Sequence, residues 1–182
     1  MKRILINFAH PNPTQSRINS AMISEIKKLP EEVASYITIN DLYHHYPDFN
    51  INAKREKKLL IAHDVILFHH PLYWYSAPAI IKEWQDTTLE YSFAYGPNGD
   101  ALKGKITQNI ISTGGEESSY KQGGYNNFTI EELLYPFEQT AKLCQMEYLK
   151  PLKIHSAASL SDEQIKEHAS KYKEHILQLI NS

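Results

Sequence analysis

The chain has 182 residues, 42% of them hydrophobic, and its 19 basic and 21 acidic side chains leave a net charge of −2. That length suits one well-buried domain, residues 1–182, and the scattered charge offers no basic stripe for nucleic acid. No stretch reaches the roughly 20 apolar residues that span a bilayer, Cys144 has no partner for an internal disulfide, and MKRILINFAH reads as a strand rather than a secretion signal, so we expect a cytoplasmic protein without direct membrane insertion.

The apolar runs are short, rich in Ile, Val, Leu and Phe, and separated by segments with helical spacing, the pattern of a parallel sheet covered on both faces. In chain order the strands are expected at Arg3 to Ala9, Ser35 to Asn40, Asp64 to His70, Ile106 to Thr113 and, more weakly, Tyr148 to His155. Helices are expected to begin near Ser16, Ala53, Ser76, Thr129 and Ser161. Asp41 to Ile51 reads as an extended connection. Pro78 sits where a first-turn proline is tolerated, and Thr129-x-x-Glu132 and Ser161-x-x-Gln164 have capping-box spacing. Pro136 predicts a short turn near Thr129, a kink, and a main helix from Tyr135 to Met146. In the last helix Ile165, Ala169, Tyr172, Ile176 and Leu179 share one face, which should pack on the sheet.

Strands alternating with helices give an α/β doubly wound, five-stranded parallel sheet with right-handed crossovers. Ligands of such sheets sit beyond the carboxyl ends of the strands, where the winding direction switches. That rule selects three loops: HPNPTQSRIN after the first strand, HPLYWYSAP after the third and TGGEESSYKQGGYNN after the fourth.

The first loop carries neither G-x-G-x-x-G nor the P-loop pattern. Ser16 can cap a helix whose opening amides, Arg17 to Asn19, would favour a phosphate, with Thr14, Ser16, Asn19 and His10 as further donors. The same residues could simply cap a helix and satisfy backbone groups. In the second loop Tyr73, Trp74 and Tyr75 are either core or one wall of a site for a flat heterocycle. In the third, Thr113-Gly114-Gly115 lets backbone amides approach a ligand, or merely turns the chain, and Tyr120 could add a hydroxyl. Taken together the loops describe a phosphate, a planar ring and ring-edge hydrogen bonds, which is the shape of flavin mononucleotide (FMN).

At these residues the sequence resembles the flavodoxin-like NAD(P)H:quinone oxidoreductases, of the general stress protein type and the potassium-efflux ancillary type. The resemblance runs through HP-x(4)-S-x-x-N (His10 to Asn19), LYHHYPDFNI, HPLYWYSAPAIIKEWQD, FAYGPNGDALKGK, STGG, YKQGGYNNFTIEELLYPFEQTAKLC and YLKPL, essentially the whole chain. It implies a flavodoxin-like fold with strand order 2-1-3-4-5, a homodimer with the site at the subunit interface, and FMN rather than FAD, since a C-terminal extension over an adenosine is missing. It further implies that His10, Ser16, Arg17, Ile18 and Asn19 hold the phosphate and ribityl chain. Pro71, Leu72, Tyr73, Trp74 and Tyr75 would line the isoalloxazine, and Thr113, Gly114, Gly115 and Tyr120 would bond its pyrimidine edge. Tyr120 is the residue expected to act on the chemistry. Better-known members have a histidine shortly after that tyrosine; GGYNNF offers Asn126 and Asn127 instead, which donate hydrogen bonds and cannot take a proton. The implied reaction is two-electron and ping-pong, with NAD(P)H as co-substrate and a small-molecule quinone or related acceptor. The Asp41 to Ile51 segment would contact the partner subunit.

Two other roles are compatible with the pattern. A one-electron flavodoxin shuttle would usually be strongly acidic, which −2 does not match. An accessory subunit of a potassium-efflux transporter would bring a membrane-protein partner. A hydrolase lacks its G-x-S-x-G elbow. No metal site is expected, because His44-His45 and His69-His70 are adjacent pairs, which on a strand point to opposite faces. Cys144, on the apolar stripe with Phe137, Thr140 and Ala141, should be a buried, inert thiol.

Overall fold

The computed structural model describes residues 1–182. In chain order its elements are β1 (Ile4–Phe8), α1 (Arg17–Lys27), α2 (Glu31–Ala34), β2 (Ile37–Asp41), α3 (Leu42–His45), α4 (Ala53–Ala62), β3 (Val65–Pro71), α5 (Ala79–Thr88), β4 (Ile106–Ser112), α6 (Ile130–Leu133), α7 (Tyr135–Leu143), β5 (Glu147–Ile154) and α8 (Asp162–Asn181). The strands form one all-parallel sheet in the order β2-β1-β3-β4-β5, so the winding direction switches between β1 and β3. The doubly wound expectation holds, and all five strands lie within two residues of their expected limits.

Alternation along the strands divides the core in two. Ile4, Ile6 and Phe8 of β1 and Val65 and Leu67 of β3 pack with α1 and α8, while Leu5, Ile66 and Phe68 face α4, α5 and α7. All five residues of the expected α8 stripe are buried on the first side. Cys144 lies in the second layer, where burial pushes its thiol up. Pro151 sits on the edge strand β5, the place in a sheet where a missing N–H costs least.

Both capping boxes form, at Thr129 and at Ser161. The chain breaks at Leu134 and restarts with Pro136 in the first turn of α7, which ends at Leu143, three residues short of the expected limit. Three expectations need correction. Ser76 does not open a helix: its N–H bonds to the Tyr73 carbonyl at 3.0 Å in a tight turn, and α5 starts at Ala79 with Pro78 as its cap. Asp41 to Ile51 is not extended throughout, because the Asp41 carboxylate caps the turn α3. Consequently His44 and His45 lie on a helical turn, not a strand. The four-residue helices α2 and α3 had no counterpart in the periodicity, being too short to show one.

His69 and His70 do point to opposite faces: His69 meets Tyr172 of α8, and His70 stacks on Phe137 of α7. Both are fully buried, and burial lowers their pKa values to about 3 and about 4. They are therefore neutral in the fold, whereas in the unfolded chain they titrate near 6.5. The stability they contribute is complete above pH 6.5 and is lost as pH falls from there toward 4 and 3. We expect each to cost about 2 kcal/mol of folding free energy by pH 5. Urea titrations at pH 7.5 and 5 measure this; a His69→Gln chain should show a shallower loss, and equal stability at the two pH values would refute it.

Candidate functional site

The loops after β1, β3 and β4 converge at the switch point and enclose two adjoining clefts that share Leu72 and Gly114. The deeper cleft, about 420 Å³, is lined by His10, Asn12, Gln15, Ser16, Arg17, Ile18, Asn19, Pro71, Leu72, Tyr73, Ser112, Thr113 and Gly114, with Ala157 and Ala158 closing it from the β5–α8 loop. The shallower one, about 300 Å³, is a shelf between Leu72, Trp74 and Tyr75 on one side and Gly114, Gly115, Ser119, Tyr120, Tyr125 and Asn126 on the other. The structure thus brings every sequence-selected site residue except Thr14 to one place.

The floor of the deeper cleft is made of donors. Ser16 caps α1, and the amides of Arg17 and Ile18 find no acceptor within the first helical turn. His10 Nδ1 accepts from the Asn12 amide at 3.1 Å, which leaves Nε2 as the protonated nitrogen. Burial lowers the pKa of His10, so it offers a hydrogen bond and not a charge. Neither the Arg17 guanidinium nor the Asn19 side chain is free for a ligand, and for Asn19, expected as a side-chain donor, this is a departure. The Arg17 guanidinium turns away, to the Leu160 carbonyl at 3.0 Å and the Asp162 carboxylate at 2.6 Å, leaving only its amide for a ligand. Asn19 spends its amide inside the protein, donating to Ser16 Oγ at 2.8 Å and Ser112 Oγ at 2.9 Å and accepting from His69. Thr14 bonds to Asn12 and is not part of the cleft.

The aromatic wall is exposed, not core. Trp74 is 93% exposed, Tyr75 50% and Tyr73 42%, while the other tryptophan, Trp84, is buried. The cause is local backbone: Trp74 and Tyr75 both adopt positive φ, +49° and +61°, in the turn closed by Ser76. For residues with side chains this costs on the order of 1–2 kcal/mol each. Such a turn is kept only where it serves something else, and here it holds three rings out over the shelf.

The third loop is clamped from beneath. The Thr113 amide bonds to Ile154 O at 2.8 Å, the Thr113 hydroxyl to Gly115 O at 2.8 Å, and Ser156 N to Gly115 O at 3.0 Å. His155, which the sequence did not single out, donates to the Thr113 hydroxyl at 3.1 Å and packs 5.7 Å from the Tyr120 ring. Gly115 is in close quarters, since a Cβ there would lie 3.3 Å from the Tyr120 hydroxyl and 3.4 Å from Asn126 Nδ2. At Gly114 a Cβ would meet nothing within 4 Å. Of the two asparagines, Asn126 lines the shelf, while Asn127 turns to the Gly123 amide of its own loop. Ser112, Gln15 and Tyr125 were within reach of sequence reasoning, lying in STGG and in the selected loops, whereas His155 comes to the site only through folding.

Residues 2–176 match a family described as having the flavodoxin-like fold. The chain is 42% identical over 170 residues to a glutathione-regulated potassium-efflux system ancillary protein of Serratia proteamaculans, covering 93% of this chain and 90% of that one. Among solved structures, general stress protein 14 of Treponema denticola in complex with FMN superposes with a TM-score of 0.90 at 31% identity over 97% of this chain and 99% of that one. An NADPH-quinone reductase of P. pentosaceus gives 0.84 at 32% identity, covering 96% and 97%. A structure named as a thermophilic tryptophan halogenase of S. violaceusniger gives 0.89 at 41%, covering 95% and 98%. One fold thus carries several names, so activity has to be argued from the clefts.

Proposed function

Because this chain belongs to the family with the flavodoxin-like fold, we propose that it is an FMN-dependent oxidoreductase that passes two electrons from NAD(P)H to quinones or similar small-molecule acceptors in a ping-pong cycle. The observation that carries this is the pairing of a donor-lined cleft floor with an aromatic shelf, joined at a glycine whose missing side chain leaves open space. When bound, FMN supplies a centre that accepts and returns hydride; the protein supplies orientation and electrostatics.

On this reading the Arg17 and Ile18 amides, Ser16 and His10 Nε2 hold the phosphate. Pro71, Leu72, Tyr73, Trp74 and Tyr75 line the ring, and the backbone of Thr113 to Gly115 with the Tyr120 hydroxyl meets its polar edge. Asn126 stands on the shelf as a neutral donor, so charge there is stabilised by hydrogen bonds and not by proton uptake. The relative with FMN bound supports the cofactor, and the neighbour named as an NADPH-quinone reductase supports the reaction class. The exposed rings of Trp74, Tyr125 and Phe128 favour a homodimer that covers them. Sedimentation of the pure protein should give about twice the mass of the 21.0 kDa chain.

Purified protein should show flavin absorption bands and release FMN on denaturation, and it should oxidise NADPH or NADH with benzoquinone; a colourless protein that rejects added FMN would end the proposal. Gly114→Val gives a sharper test. Its Cβ enters space with no protein atom within 4 Å, so melting should change little, while FMN affinity should fall at least about tenfold. Equal FMN affinity would take Gly114 off the binding surface.

A second role is favoured by the 42% identity to a potassium-efflux ancillary protein. The chain would also serve as the ancillary subunit of such a transporter. No helix is long and apolar enough to cross a membrane, so attachment would be through the partner. Co-purification from solubilised membranes with the transporter tests it.

A further inference from the structure

Beneath the deeper cleft runs a buried chain of side chains that begins on the opposite helix. Tyr172 of α8 is fully buried, and the only hydrogen-bond partner of its hydroxyl is His69 Nδ1, at 3.3 Å. His69 Nε2 lies 2.9 Å from Asn19 Oδ1, and Asn19 Nδ2 lies 2.8 Å from Ser16 Oγ and 2.9 Å from Ser112 Oγ. Every member from Tyr172 to Ser112 except Ser16 is buried.

Such a chain can order its protons in two senses. In one, Tyr172 donates to His69, His69 to Asn19, and Asn19 to both serines. The serine oxygens then act as acceptors toward the protein, and their own hydrogens point into the cleft. In the other, His69 Nδ1–H donates to Tyr172, the Asn19 amide is reversed, and both serines donate inward, leaving lone pairs facing the cleft. The first sense suits an oxyanion and the second repels it. Tyr172 decides between them, because in the second sense its hydroxyl hydrogen would be buried without an acceptor, a cost of about 1–3 kcal/mol.

We propose that Tyr172 and His69 are positioning residues that fix the hydrogen-bond polarity of Asn19, and through it turn the Ser16 and Ser112 hydroxyls into donors for a phosphate monoester. Neither residue touches the ligand. The inference rests on the reading of the deeper cleft as the phosphate end of the FMN site, and it adds what makes that end selective for phosphate.

The test compares FMN, riboflavin and inorganic phosphate, since only a polarity effect moves the phosphate-bearing ligands alone. In Tyr172→Phe, which keeps the packing ring, FMN affinity should fall about tenfold and riboflavin affinity should not change. His69→Leu should behave in the same way. His69→Gln should keep the wild-type preference, because a glutamine amide can accept from Tyr172 and donate to Asn19. Where the wild-type chain prefers FMN, an unchanged FMN-to-riboflavin ratio in Tyr172→Phe, or an equal loss of both flavins, overturns the proposal. Phosphate binding followed by ³¹P NMR separates this from the cofactor reading. If the wild-type chain shows no preference for FMN yet loses phosphate on Tyr172→Phe, the cofactor assignment fails and the relay stands; if phosphate binding is unchanged by the substitution, the relay fails.

Discussion

Tyr120→Phe is expected to slow reduction of bound FMN by NAD(P)H about a hundredfold, equivalent to about 3 kcal/mol of barrier, while leaving FMN bound. The tyrosine closes the turn after Glu117–Ser119, its ring braced 5.7 Å from His155. Its hydroxyl has no hydrogen-bond partner in the protein and sits beside Gly115, at the polar side of the shelf. A donor held in place before reaction, in a site partly shielded from water, stabilises developing negative charge without reorganisation. Phenylalanine keeps the packing and removes only the donor. Anaerobic stopped-flow at the flavin bands reads the rate directly, and wild-type kinetics would remove Tyr120 from the residues that act on the reaction.

The largest expected effect on folding comes from Glu56→Gln, with a loss of about 3–5 kcal/mol. Glu56 of α4 is fully buried, and its carboxylate accepts four hydrogen bonds. Oε2 receives Asn40 Nδ2 and Trp84 Nε1, both at 2.7 Å, and Oε1 receives the Tyr46 hydroxyl at 2.6 Å and the Arg55 guanidinium. A carboxylate has four acceptor positions and all are filled. Glutamine replaces two of them with donors aimed at other donors, and strands part of the Arg55 charge. Because Asn40, Tyr46 and Trp84 belong to β2, the α3–α4 connection and α5, one carboxylate ties three segments to α4. Denaturant unfolding of Glu56→Gln measures the loss; a change under about 1 kcal/mol would mean that the donors find other partners. The connection it anchors, Asp41 to Ile51, is the segment that the family resemblance implies for contact with a partner subunit, so in the homodimer proposed above the variant should also weaken association.

Much of the fold could be read before folding. Runs such as RILINFA and DVILFHH are apolar without alternation because both faces of a parallel strand are covered, and the capping boxes at Thr129 and Ser161 mark helix starts through purely local chemistry. The break at Pro136 was legible for the same reason. By contrast, Ser76 looked like a helix cap and proved to close a turn, since an S-A-P sequence fits either and Pro78 decides where the helix can begin. Buried Glu56 gave no sign at all: in sequence it is one charge in KREKK, and only the convergence of four donors distinguishes it from a solvated side chain.

The site divides in the same way. Its residue types, and the loops that carry them, follow from the amino-acid order, because the ends of parallel strands must be followed by loops and glycine, serine and exposed rings gather there. What each residue does depended on packing. Asn19 looked like a side-chain donor for a ligand and is an internal strut; Arg17 keeps the free amide expected of it, while its guanidinium is paired with Asp162. The outward aim of Trp74 and Tyr75 comes from two positive φ angles, and the arrival of His155 and Tyr172 beside loops far away in the chain comes from strand order. Periodicity and capping are short-range and are written into neighbouring residues, whereas hydrogen-bond polarity and burial are set by distant partners such as His69 and Tyr172, 103 positions apart, and exist only once the sheet has brought them together.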